Sequence, residues 1–182
     1  MHLLECQNLS KQYNDKIVLN NINLTIPHNK IIGLLGRNGA GKSTLIKLWN
    51  DLLTPSSGTV LFEDQPIGVN SKMHISYLPE RTYLNRTMRV CDTIKFFTEF
   101  YPNFDNVKAE KLVHSLGLNL NEPISHMIKG MQEKLQLALV MSRKAKLYIL
   151  DEPLGGIDPA TRDYILDTIV SNFADGASLI IS

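Results

Sequence analysis

Gly36-Arg37-Asn38-Gly39-Ala40-Gly41-Lys42-Ser43-Thr44 has the residue types and spacing of G-x-x-x-x-G-K-[ST]. Glycines at these positions let backbone N–H groups turn inward around a chain of phosphates. Lys42 then reaches toward the β- and γ-phosphates, and the Ser43 hydroxyl is suited to Mg2+. A second constellation closes the apolar run Leu147-Tyr148-Ile149-Leu150, where Asp151 and Glu152 stand side by side before Pro153. Successive side chains at a strand end point in different directions. Asp151 can therefore face a metal shell while Glu152 faces the space beyond a γ-phosphate, where a carboxylate can act as general base on water. Taken without the glycine loop, the pair reads equally well as two solvated acids before a turn.

These groups need elements to hold them. The loop is entered from Ile31-Ile32-Gly33-Leu34-Leu35 and left through Leu45, Ile46, Leu48, Trp49 and Leu52 at helical spacing, the strand-loop-helix order that the motif requires. A helix beginning near Lys42 adds the positive end of its dipole. Upstream, β-prone runs at Leu3 to Leu9 and Ile17 to Ile26 flank the turn-rich Asn14-Asp15, which predicts an antiparallel edge. Downstream, Pro55-Ser56-Ser57-Gly58 predicts a turn, followed by strands over Thr59 to Phe62 and His74 to Leu78. From Arg81 to Lys144 the pattern turns helical, over Val90 to Tyr101, Val107 to Leu116 and Met131 to Arg143. The chain then returns to alternating elements: a strand over Leu147 to Leu150, a helix from Pro159 to about Phe173, and a strand over Ser178 to Ile181.

Bulk properties narrow the function classes. The 182 residues, 43% of them hydrophobic, suit one domain with an inserted lobe. With 19 basic and 18 acidic residues the net charge is +1, so no overall field directs the chain to nucleic acid or an anionic membrane. Cys6 and Cys91 form no C-x-x-C pair and read as free packing thiols. His2, His28, His74, His114 and His126 read as surface or packing residues. No run reaches the roughly 18 apolar residues of a membrane span.

Together these residues closely resemble the ATP-binding subunits of ABC transporters, over essentially the whole chain. The resemblance makes Gly36–Thr44 the Walker A loop, Leu147–Glu152 the Walker B strand and Gly156-Ile157-Asp158 the D-loop. It puts Tyr13, in Lys11-Gln12-Tyr13-Asn14, where the family stacks an aromatic ring on adenine; an edge-strand packing role is the alternative. It implies an α/β P-loop NTPase fold, with a RecA-like core and antiparallel β region over 1–80 and 145–182, and an inserted helical subdomain over 81–144. It also implies ATP and Mg2+, with Ser43, Asp151 and Glu80 toward the metal, Lys42 and Glu152 as the catalytic groups, and pairing as a homodimer or with another ABC ATPase subunit. A transmembrane permease partner follows, at the cytoplasmic face of the cell membrane, with no nucleic acid.

Three departures from the family pattern stand out. Glu80, in Ile75-Ser76-Tyr77-Leu78-Pro79-Glu80, occupies the place of the Q-loop glutamine; a carboxylate there can approach Mg2+, act as an extra acid or base, or be a solvated loop acid. The signature motif aligns with Met127-Ile128-Lys129-Gly130-Met131, keeps only its glycine, and resembles the S-K-G-M variant of bacterial drug- and peptide-exporter ATPases. Ile128 replaces the serine donor, which implies a weak trans contact, the loss of one donor to a charged group being worth about 1.5 to 3 kcal/mol. The sequence ends at Ser182, before the family's switch histidine, which implies a truncated protein. The expectation is an exporter ATPase; a soluble ABC ATPase acting on ribosomes or DNA, or an ATP-sensing module with little turnover, are the alternatives. Phe96, Phe97, Phe100 and Tyr101 have the spacing of a lobe core, with permease docking as their alternative role.

Overall fold

The computed structural model describes residues 2–155 and 159–182. The D-loop residues Gly156, Ile157 and Asp158 lie outside the described residues. The chain divides into two compact units, one of Met1–Tyr77, Lys146–Asp151 and Asp175–Ser182, the other of Leu78–Ala145 and Glu152–Ala174.

The first unit holds two four-stranded sheets. Strand β1 (Leu4–Tyr13) pairs antiparallel with β2 (Lys16–Ile26) and, on its other side, with β4 (Ser57–Phe62), which pairs with the short β5 (Gln65–Pro66). The edge expected from Asn14-Asp15 is this hairpin, with Asn14 in the left-handed region (φ 50°) that Asn tolerates. Gly58 (φ +78°) is fixed by close approach as well as by dihedral: a Cβ there would sit 2.3 Å from the Asn8 carbonyl oxygen. The second sheet has the order β3-β8-β7-β6, made of β3 (Ile31–Gly33), β6 (Ile75–Leu78), β7 (Leu147–Leu150) and β8 (Ser178–Ile181), with β8 parallel to both β3 and β7. Every residue of β7 is buried, the pattern of a parallel strand covered on both faces.

Helix α1 (Lys42–Trp49) turns Leu45, Ile46, Leu48 and Trp49 into the core of this unit, where Trp49 Nε1 donates to the Cys6 sulfur at 3.1 Å. Burial pushes the Cys6 thiol up to about 11, so it is an unreactive packing group. Helix α2 (Val69–His74) is absent from the sequence reading, which starts a strand at His74. Its single turn shows no apolar period. It is held locally, with the Ser71 hydroxyl accepting from Gly68 N and donating to Gly68 O, both at 2.9 Å.

The second unit is helical. Helix α3 (Val90–Phe100) buries Val90, Thr93, Ile94 and Phe97 at the i, i+3, i+4, i+7 spacing of one face. Helix α4 (Asn106–Ser115) is capped by the Asp105 carboxylate accepting from Lys108 N at 2.9 Å. Helix α5 (Lys129–Met141) is buried from Leu135 onward. Helix α6 (Pro159–Asn172) belongs to this unit; Tyr164 Oη donates to Ser115 O at 2.7 Å, and Lys108 Nζ donates to Asn172 O. The four aromatics do not behave as one core: Phe97 is buried, whereas Phe96 and Phe100 are exposed and stack on each other at 5.8 Å. They lie one turn apart on a flank of α3 that the spacing could not distinguish from the buried face.

Candidate nucleotide site

The glycine loop leaves β3 and runs exposed into α1. Gly39 (φ +82°) and Gly41 (φ +91°) lie in the left-handed region, and a Cβ on Gly41 would meet Leu19 Cδ2 at 3.0 Å and Val18 O at 3.1 Å. A side chain at 41 is thus opposed by dihedral and space together. Gly41 is also the N-cap of α1 and supplies no side-chain cap, so the first N–H groups of the helix stay available to a ligand. Ala40 N donates to Arg37 O at 3.0 Å and Leu45 N to Gly41 O at 2.9 Å, setting the turn and the first helical bond. Lys42 Nζ spans the loop, donating to Gly36 O at 2.7 Å and Arg37 O at 3.3 Å. An ammonium beside uncapped N–H groups suits a multiply charged anion.

Asp151 closes β7 in the same unit and is buried, with the Ser182 hydroxyl donating to its Oδ1 at 2.8 Å. Ser43 and Asp151 present hard oxygen donors. No cluster of three or more His, Cys, Asp or Glu able to hold a metal exists among the described residues. Oxygen donors of this kind suit Mg2+, which takes one or two protein ligands together with substrate phosphates. Tyr13 ends β1 and is 43% exposed, and Lys11 Nζ lies 5.1 Å from the ring centroid. An accessible ring of this kind can take a base on its face.

The second unit brings together Glu80, Glu152 and Lys129 around a cavity of about 540 Å³, together with Arg81, Thr82 and Glu133, which the sequence reading passed over. Glu152 has φ 51°, a strained value for a residue with a Cβ, and its carbonyl accepts from Gly155 N at 3.1 Å. Lys129 reaches Glu133 Oε1 at 3.5 Å but is 80% exposed, so this i,i+4 pair leaves its ammonium accessible. Ile128 is the N-cap of α5, 72% exposed and without a side-chain bond. Substituting Ile128→Ser supplies the missing cap, a gain of about 1 kcal/mol. The thermal midpoint is expected to rise by about 2 to 4 °C in a melting experiment.

The glycine loop between strand and helix, on a sheet with parallel β3, β8 and β7, defines a P-loop nucleotide-binding domain. The ABC transporter family model matches residues 19–155. The lantibiotic transport ATP-binding protein SrtF of Streptococcus pyogenes is 32% identical, over 99% of this chain and 79% of its own length. The SkfA peptide export ATP-binding protein SkfE of Bacillus subtilis is 30% identical, over 100% of this chain and 79% of its own. Among solved structures, an ATP-binding subunit of an ABC transporter superposes with a TM-score of 0.86 at 26% identity, covering 99% of this chain and 79% of that one. The chain belongs to the ABC transporter family, as an ATP-binding subunit of a transporter.

Proposed function

We propose that the subunit binds ATP on the Gly36–Thr44 loop, hydrolyses it with Glu152 as general base, and drives export through a separate transmembrane permease. The observation that carries this reading is the loop itself: an uncapped α1 amino end, two left-handed glycines and Lys42 across the mouth, in one unit with Asp151 at the end of β7. The names of the relatives, lantibiotic transport and peptide export, support export as the direction.

In this reading the inward N–H groups of the loop hold the phosphates, and Lys42 gives up its carbonyl partners for β- and γ-phosphate oxygens. Tyr13 stacks on adenine. Ser43 and Asp151 would hold Mg2+, with Glu80 as a further ligand, and the ion would neutralise phosphate charge. Glu152 takes the proton of a water attacking in line, and Lys42 stabilises the charge that spreads over the transferred group. Two such subunits, either two copies or this chain with a different ABC ATPase, close head to tail so that the α5 amino end of one meets the ATP of the other. The exposed Lys129 supports a charge contact there, while Ile128 offers no donor, so turnover on the opposing site is slow and Ile128→Ser speeds it. Contacts that exist only with the γ-phosphate present make closure depend on ATP.

No helix among the described residues is long and apolar enough to cross a membrane. In the proposal, membrane attachment at the cytoplasmic face runs through the permease, which docks on the exposed Phe96 and Phe100. These border a groove of about 240 Å³ with Tyr83, Met88 and Tyr101. Aromatic residues, Phe among them, are enriched at the cores of protein interfaces, where a hot-spot side chain is worth about 2 kcal/mol or more. Replacing both with serine is expected to leave ATP binding unchanged and to lose the permease on purification from native membranes. Undiminished recovery of a polytopic partner with the double variant contradicts the docking site, and recovery of ribosomes or DNA in its place contradicts transport.

A further inference from the structure

Helix α5 buries one polar side chain in an otherwise apolar run. From Leu135 to Met141 every residue is buried, and all but Gln136 are apolar. Gln136 is 2% exposed; its Nε2 donates to Pro79 O at 3.4 Å, and its buried Oε1 has no donor among the described residues. The Pro79 carbonyl fixes the direction of the amide, because turning it over would set two acceptors against each other. A leucine would fill the same place without the unsatisfied Oε1 but would strip the Pro79 carbonyl of its donor, so the glutamine carries one open buried acceptor in exchange for that contact. One turn earlier on the same helix, Glu133 lines the cavity shared with Glu80, Arg81 and Thr82, and its buried Oε2 likewise has no donor. Helix α5 therefore reaches the 79–82 segment with polar groups at two successive positions.

The contact falls on an informative atom. Pro79 has no N–H, so its carbonyl is its sole backbone hydrogen-bonding group. That oxygen lies in the same planar peptide unit as Glu80 N and Cα. A donor holding the oxygen fixes the tilt of the peptide plane, and with it the direction in which the Glu80 side chain leaves the chain.

We infer that Gln136 is a positioning residue for Glu80, holding the Pro79–Glu80 peptide on α5 so that the Glu80 carboxylate is aimed by the helix that carries Lys129 and Gly130. The inference rests on the proposed role of Glu80 at the phosphate end of ATP. The test uses the full chain, with its permease for turnover, and the variant Gln136→Leu, with Gln136→Met as a second replacement of similar volume. Thermal midpoints are expected to stay level or rise. Tryptic cleavage of the ligand-free protein after Arg81 is expected to speed at least about tenfold. The ATP dissociation constant should stay within about twofold while kcat falls at least about threefold, a split that loss of packing does not produce. In a Glu80→Ala background, Gln136→Leu should lower kcat no further. Unchanged cleavage with both variants overturns the tether, and an undiminished effect without Glu80 overturns its action through that residue. Wild-type protein that neither binds nor hydrolyses ATP refutes the function instead, and the cleavage result then judges the tether alone.

Discussion

Replacing Lys42 with alanine is expected to abolish tight ATP binding while leaving the fold intact. The ammonium is tied directly into the mouth of the loop, bonded to the Gly36 and Arg37 carbonyls. Exchanging those neutral acceptors for phosphate oxygens turns two ordinary hydrogen bonds into charge-assisted ones. Two such contacts at about 1.5 to 3 kcal/mol each correspond to a loss of at least a hundredfold in affinity. The fold has little to lose. Lys42 is the first residue of α1, alanine is the best helix former, and the two freed carbonyls sit in an exposed loop where water replaces the donor. Equilibrium titration with ATP should lose its saturable phase while the thermal midpoint of the free protein holds. Unchanged affinity would remove the loop as the phosphate site.

Glu152→Gln is expected to separate binding from chemistry. Glutamine has the same shape and keeps the strained turn, because the bond from Gly155 N is to the backbone carbonyl of residue 152. It cannot take a proton from water, and loss of a positioned general base lowers a rate by about 10² to 10⁴. ATP should then accumulate on the protein, and in the assembled transporter the closed pair of subunits should persist because the γ-phosphate contacts that hold it are not discharged. Phosphate release measured at saturating ATP decides the point. Turnover within a few-fold of wild type assigns the base elsewhere, and loss of ATP binding makes Glu152 a binding group.

The two variants probe features of unequal legibility. The phosphate loop could be read from sequence because its chemistry is local: glycines at fixed offsets, a lysine and a hydroxyl, an apolar strand before and an apolar helical period after. The structure adds the dihedrals and the Cβ clash that explain Gly41. Strand β7 was legible for the same reason, being an apolar run ended by charge. Helix α2 was not, since it is one turn held by the Ser71 hydroxyl and has no period to detect. The sidedness of the aromatics was hidden differently. Phe96, Phe97 and Phe100 all satisfy helical spacing, and only the packing around α3 selects Phe97 for burial and leaves the other two outside. Likewise the association of Glu80 and Glu152 with Arg81, Lys129 and Glu133 in one cavity is a tertiary fact that no spacing encodes. Gln136 did leave a trace, a lone amide in the run Leu135 to Met141, but its meaning depends on the Pro79 carbonyl it meets.

An ATP-driven role for this chain stands or falls with ATP on the Gly36–Thr44 loop. Its most direct test is equilibrium titration of the full chain with ATP in the presence and absence of Mg2+. One saturable site per chain, tightened by Mg2+ and lost with Lys42→Ala, is expected; ATP binding that is absent, or that survives the lysine substitution unchanged, contradicts that role.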